Sequence, residues 1–169
     1  MSEANVPAIK EFKMQLGEFL FLGIENVITD SYANMGAVWD NFFKAGGFDK
    51  IEPYQNKSYG CMVVNHHNNP EYPVYFIGSI VEGIDQAPEG YTLTQFPACE
   101  YIVVTHEWLP TKEDALGQIG RIDEARLHVQ IPDGYVRDDN GPIALIENEN
   151  VDTPDGSRWE NWVPIKKAD

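Results

Sequence analysis

The sequence predicts an α+β domain in which a strand–helix–strand–strand unit occurs twice. The order of elements repeats, first over residues 12–82 and again over residues 98–165. Within each repeat, apolar residues alternate in the strand-like segments and recur every third or fourth position in the helical segment. No linker or low-complexity segment divides the sequence, so we expect an N-terminal arm over residues 1–11 and one domain over residues 12–169.

The first unit begins with a predicted strand over residues 12–26 that turns or bulges near Gly17. Thr29, Asp30 and Ser31 are helix N-cap residues, and they precede an amphipathic helix that two glycines end. The apolar side chains of this helix recur at i, i+3, i+4, i+7 and i+8: Met35, Val38, Trp39, Phe42 and Phe43.

Two strands, over residues 59–64 and 74–81, complete the first unit. The second of them is apolar at nearly every position, so we expect it to be buried on both faces. Gly78 lies inside this strand and predicts a bulge or the close approach of another segment. A short edge strand over 91–96 then leads into a long strand over 99–107.

The rest of the second unit contains a helix, a strand, a loop and a final strand. Thr111 and Asp114 have the spacing of a capping box at the start of a helix. Apolar residues at 143–147 predict a strand, and the polar residues at 148–156 predict a loop.

The final strand, over residues 158–167, carries bulky side chains on both faces. Because strand side chains alternate, Trp159, Asn161 and Val163 lie on one face, and Glu160 and Trp162 lie on the other. A strand with aromatic residues on both faces is covered on both. We expect a helix over one face. On the other, a glutamate beside an indole is typical either of a ligand site or of a solvated sheet edge.

The composition argues against several classes of function. The chain has 27 acidic and 12 basic residues and a formal net charge of -15, which disfavours nucleic-acid binding. Cys61 and Cys99 lack the spacing of a disulfide framework and are expected to be reduced. Neither a signal-peptide pattern nor an apolar run long enough to cross a membrane is present, so we expect a cytoplasmic protein.

The sequence contains none of the common nucleotide, metalloprotease or hydrolase motifs, and we expect neither a cofactor nor a metal. What remains is a set of carboxylates inside apolar strands: Glu82, Glu100, Glu147 and Glu160. A buried carboxylate needs a partner charge or hydrogen bonds, and a cationic ligand can supply one. Each glutamate alone is more often found at a solvated strand end. Glu160, between two tryptophans, is the strongest candidate of the four.

Five segments, taken together and in order, are similar to those of a known family. They are MGAVWDNF at 35–42, SYG at 58–60, VYFIGSIV at 74–81, FPACEYIVV at 96–104 and WENWVPI at 159–165. With these segments the chain resembles, over about residues 12–167, a GyrI-like small-molecule-binding domain. This is the effector-binding domain also found on AraC-type and multidrug-sensing transcription regulators.

The resemblance implies an antiparallel sheet built from two pseudo-twofold related units, with a central pocket between them. It also implies binding of amphipathic, often cationic, drugs against aromatic residues and a glutamate. The family's C-terminal pattern falls on Glu160, Trp162, Val163 and Pro164. Ala144 stands where many members carry a pocket glutamate. Either Glu160, Glu100 or Glu147 therefore takes over that role, or the ligand is not cationic.

The sequence and the resemblance together predict a stand-alone small-molecule-binding domain, without direct nucleic-acid or membrane binding. The pocket is expected to be lined by aromatic residues and carboxylates: Trp39, Tyr75, Glu100, Tyr101, Glu160 and Trp162. The expected ligand is planar and apolar, with its charge left open. One alternative is a GyrI-like hydrolase of electrophilic cyclopropanoid-type compounds, in which Glu160 activates water. The other is an acidic protein-interaction module that inhibits a protein partner. Enzymatic activity is the less expected of these outcomes.

Overall fold

The computed structural model describes residues 6–29 and 34–169. Nine antiparallel strands form a single sheet across this part of the chain. The first unit contains β1 (Ile9–Leu16), β2 (Phe19–Val27), α1 (Met35–Lys44), β3 (Cys61–His66) and β4 (Val74–Val81). The second contains β5 (Thr92–Phe96), β6 (Cys99–His106), α2 (Lys112–Leu116), α3 (Ile119–Ala125), β7 (Tyr135–Arg137), β8 (Ile143–Thr153) and β9 (Gly156–Lys167). Short 3-10 turns lie at 47–50, 52–54 and 126–128.

The strand order shows the predicted duplication directly. The strands follow the order β1-β6-β9-β8-β3-β4-β2-β5, and the short β7 pairs with β9. If β1, β2, β3 and β4 are exchanged for β5, β6, β8 and β9, the same order results, read backwards. The two units are therefore related by a pseudo-twofold axis between β3 and β8, and the predicted α+β fold is confirmed.

The sheet is strongly curled, because consecutive strands lie near its opposite ends. Only Gly17 and Glu18 separate β1 from β2, and only Pro97 and Ala98 separate β5 from β6. Such short connections require the two ends of the sheet to approach each other. The inner face thus closes over an aromatic core without a covering helix: Phe19, Phe21, Phe76, Phe96, Tyr101 and Trp162.

The helices cover the outer face of the sheet in two separate patches. Phe42 of α1 packs against β2, β3 and β4, and Ile122 of α3 packs against β6 and β9. A groove between these patches runs over β3 and β8 at the pseudo-twofold axis. In the described residues, no helix is long and apolar enough to cross a membrane.

Both predicted helices are present. α1 turns its predicted apolar face toward the sheet, except that Phe43 remains 58% exposed. The glycines at 46 and 47 follow the end of the helix. Of its predicted N-cap residues, Asp30 and Ser31 lie outside the described residues. Thr111 is confirmed as the N-cap of α2, because its hydroxyl accepts a hydrogen bond of 3.1 Å from the Asp114 backbone N–H.

Two of the strand predictions need correction. The predicted turn near Gly17 is present, but it divides the segment 12–26 into two strands, β1 and β2, which pair with different partners. The predicted loop 148–156 is mostly the β8–β9 hairpin. The sequence did not indicate this strand, because its inward-facing residues Asn148 and Asn150 are polar. They contact the buried Glu160 carboxylate instead of apolar side chains. The short strand β7 was not predicted.

The close approach predicted at Gly78 is confirmed. Gly78 in β4 lies directly opposite Gly23 in β2. A Cβ atom at Gly78 would collide with the Leu22 carbonyl, and one at Gly23 would collide with the Ile77 carbonyl. Both obstacles are backbone atoms that cannot rotate away, so the curl of the first unit at this point requires two glycines.

Gly78→Ala is expected to lower the free energy of unfolding by more than about 2 kcal/mol, because backbone must move to admit the methyl group. Gly120→Ala in α3 is the matched control, since a Cβ atom there meets open space. The control should raise stability by up to about 1 kcal/mol through helix propensity. Urea unfolding measures both, and equal stability of the Gly78 variant and the wild type would contradict the steric argument.

Candidate functional site

The groove on the outer face contains a cavity of about 420 Å³. It lies over β8, β3 and β4, between the start of α1 and the end of α3, so both units contribute to it. Its walls combine polar, charged and aromatic side chains: Met35, Asn65, Tyr75, Asp123, Arg126 and Glu147. We call it the inter-unit cavity.

Glu147 is the carboxylate at the floor of the inter-unit cavity. In the sheet it lies between Val63 of β3 and Asn161 of β9. Among the described residues, its one hydrogen bond is long: the Asn65 amide donates to Oε2 at 3.4 Å. Burial raises the pKa of Glu147 to about 7, and the nearby Asp123 carboxylate adds to this. The side chain therefore changes its charge near neutral pH.

Arg126, the basic residue of the cavity wall, is engaged elsewhere. Its Nη1 donates to Asp123 Oδ1 at 3.2 Å and to Asn161 Oδ1 at 2.8 Å. Arg126 lowers the pKa of Glu147 only as a minor influence, weaker than burial. The Asn161 amide Nδ2 is buried and has no hydrogen-bond partner in the described structure. Within the described residues, Glu147 therefore has no directly paired cation. The unpaired Asn161 amide lies beside the Arg126 guanidinium.

Of the predicted aromatic residues, Tyr75 lines the cavity. Trp39 of α1 packs edge-on against Tyr75, with ring centroids 6.3 Å apart and planes at 80°. Burial raises the pKa of the Tyr75 hydroxyl, so this residue stays neutral. Trp39 supports the position of the Tyr75 ring from behind.

The structure does not bring the six predicted site residues together. Trp39 and Tyr75 lie on the outer face of the sheet, whereas Tyr101, Glu160 and Trp162 lie on the inner face. Tyr101 and Trp162 pack in the aromatic core, with ring centroids 5.7 Å apart. Glu100 does not line the inter-unit cavity.

Glu100 lies at the β1 end of the sheet. Its Oε1 is 3.2 Å from Lys13 Nζ, and the Tyr135 hydroxyl is 3.5 Å away. The Lys13 side chain is 40% exposed, so this ion pair is a surface feature.

Glu160 is 3% exposed and is held by four protein donors. Oε1 accepts from Asn148 at 2.9 Å and from the Trp162 indole at 3.0 Å, and Oε2 accepts from Arg158 at 2.7 Å and from Asn150 at 3.3 Å. A carboxylate has about four acceptor positions, so the protein itself occupies those of Glu160. Its observed role is to tie the β8–β9 hairpin together.

Asn65, Asp123 and Arg126 were not singled out from the sequence, and Glu147 was only one of four candidate carboxylates. The sequence carried a partial signal. Asn161 was placed on the same face as Trp159, the face expected under a helix, and the cross-strand partner of Asn161 is Glu147. Register, which sequence does not provide, was the missing step.

Glu160→Gln is expected to reduce the free energy of unfolding by about 1–3 kcal/mol, because one acceptor oxygen becomes a donor facing other donors. Urea unfolding monitored by tryptophan fluorescence measures this loss. Glu100→Gln is the control, since its exposed ion pair with Lys13 contributes no more than about 1 kcal/mol. If both variants lost the same small amount, the four-donor network would have no special importance.

Comparisons with known proteins give the family. A protein-family model described as Cass2, integron-associated effector binding protein, matches residues 14–165. A search of curated protein sequences found no match.

Several solved structures share the fold of this chain. SAV2435 bound to tetraphenylphosphonium is 14% identical, with a TM-score of 0.67 over 93% of this chain and 94% of that one. The integron cassette protein VCH_CASS2 from the mobile metagenome of Vibrio cholerae is 11% identical, with a TM-score of 0.55 over 92% and 95%. The EcmrR C-terminal domain is 13% identical, with a TM-score of 0.52 over 95% and 99%. Because the family model spans nearly the whole sequence, this chain belongs to the Cass2 family of integron-associated effector-binding proteins and has the GyrI-like fold.

Proposed function

We propose that this protein is a cytoplasmic multidrug-type effector-binding protein that takes an amphipathic organic cation into the inter-unit cavity. Glu147 is the counter-charge of the ligand, and the Tyr75 ring is its aromatic wall. The observation that carries this proposal is the carboxylate of Glu147, which lies at the floor of a cavity with one long amide hydrogen bond. Binding of the ligand is the signal for regulation, as it is in the effector-binding domains of related transcription regulators.

The energetics of Glu147 favour a cationic ligand. An ionised carboxylate that loses water without gaining a partner charge is destabilised, and the raised pKa of Glu147 reflects this cost. A bound cation would bring the missing charge into the cavity and stabilise the ionised form. Arg126 does not fill this role, because Asp123 and Asn161 accept its hydrogen bonds.

The size and the walls of the cavity suit a drug-like molecule. Its volume of about 420 Å³ falls within the range common for small-molecule sites. Tyr75 offers a ring face for cation–π attraction, and Met35 offers an adaptable apolar contact. The net charge of -15 would also raise the local concentration of cations around the protein.

The structural neighbour SAV2435, which has tetraphenylphosphonium bound, supports the ligand class. Its likeness to this chain at 14% identity concerns the fold, so the chemical argument rests on Glu147 and its surroundings. Tetraphenylphosphonium is nevertheless a suitable probe, because tetraphenylborate has nearly the same shape and the opposite charge.

Tetraphenylphosphonium is expected to bind saturably, while tetraphenylborate does not, because only the cation compensates Glu147. Glu147→Gln should weaken phosphonium binding about tenfold or more. Isothermal titration calorimetry measures both affinities. Glu124→Gln is the charge-matched control, since this side chain, on the same helix as Asp123, is 71% exposed. Equal weakening by the two variants, or equal binding of the borate, would contradict a role for Glu147.

Phosphonium affinity is also expected to depend on pH. With a pKa of about 7 in the free protein, Glu147 is charged above pH 7 and neutral below it. A cation prefers the charged form, so affinity should fall by up to about tenfold per unit as the pH decreases below 7.

The other titratable groups near Glu147 are Asp123, Tyr75 and Cys61. Tyr75 and Cys61 stay neutral across this range because burial raises the pKa of each. Glu147→Gln should remove the pH dependence. Titrations at several pH values measure the profile, and a flat wild-type profile would mean that Glu147 does not titrate on binding.

A further inference from the structure

A second cavity lies at the corner where the chain passes from β1 to β2. Its volume is about 390 Å³, and it shares no lining residue with the inter-unit cavity. Leu16, Phe19 and Ile80 form apolar walls that continue into the aromatic core of the inner face. The exposed carboxylates of Glu18 and Glu82 lie at its rim. We call this cavity the first corner.

The pseudo-twofold axis generates an equivalent second corner, where the chain passes from β5 to β6. The backbone pattern is the same at both. The Asn56 N–H donates to the Ile80 carbonyl at 2.9 Å, and the Asp138 N–H donates to the Pro164 carbonyl at 3.0 Å. Asp138 lines a cavity of about 360 Å³ at the second corner, just as Asn56 lines the first. The duplicated backbone therefore forms two comparable concave sites.

The two corners differ in how their carboxylates are neutralised. At the second corner, Glu100 is 3.2 Å from Lys13 Nζ, and Asp138 is 3.9 Å from Lys166 Nζ. Protein lysines thus supply the positive charge there.

At the first corner the carboxylates have only amide partners. Glu18 accepts a hydrogen bond of 3.1 Å from Gln95, and Glu82 accepts one of 3.2 Å from Asn56. Over the described ranges 6–29 and 34–169, neither carboxylate forms an ion pair. The first corner is concave like its counterpart, but Glu82 stands at the position of Lys166, because Ile80 corresponds to Pro164.

We infer that the first corner is a second binding site, which takes a small amphiphile with one positive charge. The cationic group lies between Glu18 and Glu82 and supplies the positive charge that Lys13 and Lys166 supply to the carboxylates of the second corner. The apolar end enters against Leu16, Phe19 and Ile80. Tyr59, which also lines this cavity, offers a ring to the cation. This site does not depend on Glu147 or on the function proposed for the inter-unit cavity.

The test uses benzyltrimethylammonium, a cation small enough for the first corner, and the full chain labelled with ¹⁵N. Amide chemical shifts report where the probe binds. Saturable shifts are expected at Gly17, Glu18 and Gly83, which line the first corner. Glu18→Gln combined with Glu82→Gln should weaken binding there by roughly tenfold, because two partly screened charges are lost. Both side chains are exposed, so the double variant is expected to fold.

The control is Glu100→Gln, which removes a carboxylate at the equivalent corner and should leave the shifts at Gly17 and Gly83 unchanged. A third variant, Glu82→Lys, places a lysine at the first corner and should abolish these shifts. Equal weakening by the control would show general attraction to an acidic surface and would overturn the inference. Shifts confined to Tyr75 and its neighbours, or no saturable shift at all, would also overturn it.

Discussion

The antiparallel pairing of β3 with β8 is the contact on which both the fold and the candidate site depend. It joins the two units at the pseudo-twofold axis, and its register sets Val63 opposite Glu147 and Met62 opposite Asn148. A slip of one residue between β3 and β8 would turn Glu147 toward the aromatic core. Because a carboxylate there would have no polar partner, the register that builds the inter-unit cavity is also the register that stabilises the sheet.

Glu147 and Glu160 are two carboxylates of one hairpin in opposite environments. They lie on adjacent strands and point to opposite faces of the sheet. Four donors from the chain surround Glu160, so its charge is used within the protein. Glu147 has one long hydrogen bond, and burial keeps its pKa near 7. A carboxylate that is satisfied internally stabilises a fold, whereas one that is poorly satisfied beside a cavity is suited to binding.

Sequence patterns predicted the elements, but they did not predict which side chains the sheet brings together. The helical spacing of Trp39 and Phe42 and the apolar run around Gly78 are local signals, and both led to correct elements. The faces of the last strand were also correct, since Trp162 contacts Glu160 while Val163 packs under α3. The site depends on cross-strand register, which is not local. The polar residues Asn148 and Asn150 made the second half of β8 look like a loop. The pairing of β8 with β9, which sets Glu147 opposite Asn161, could therefore not be predicted.

The position of Ala144 shows how this chain can keep a cavity carboxylate at a different place in the sequence. Ala144 and Glu147 are three residues apart, and an odd spacing in a regular strand would place them on opposite faces. The register shifts here, however: Asn65 pairs with Leu145 and His66 pairs with Ile143, so Ala144 is the extra residue of a β-bulge. The bulge allows both Ala144 and Glu147 to line the inter-unit cavity. A carboxylate at 147 therefore reaches the same cavity as a residue at 144, and burial there raises the pKa of Glu147.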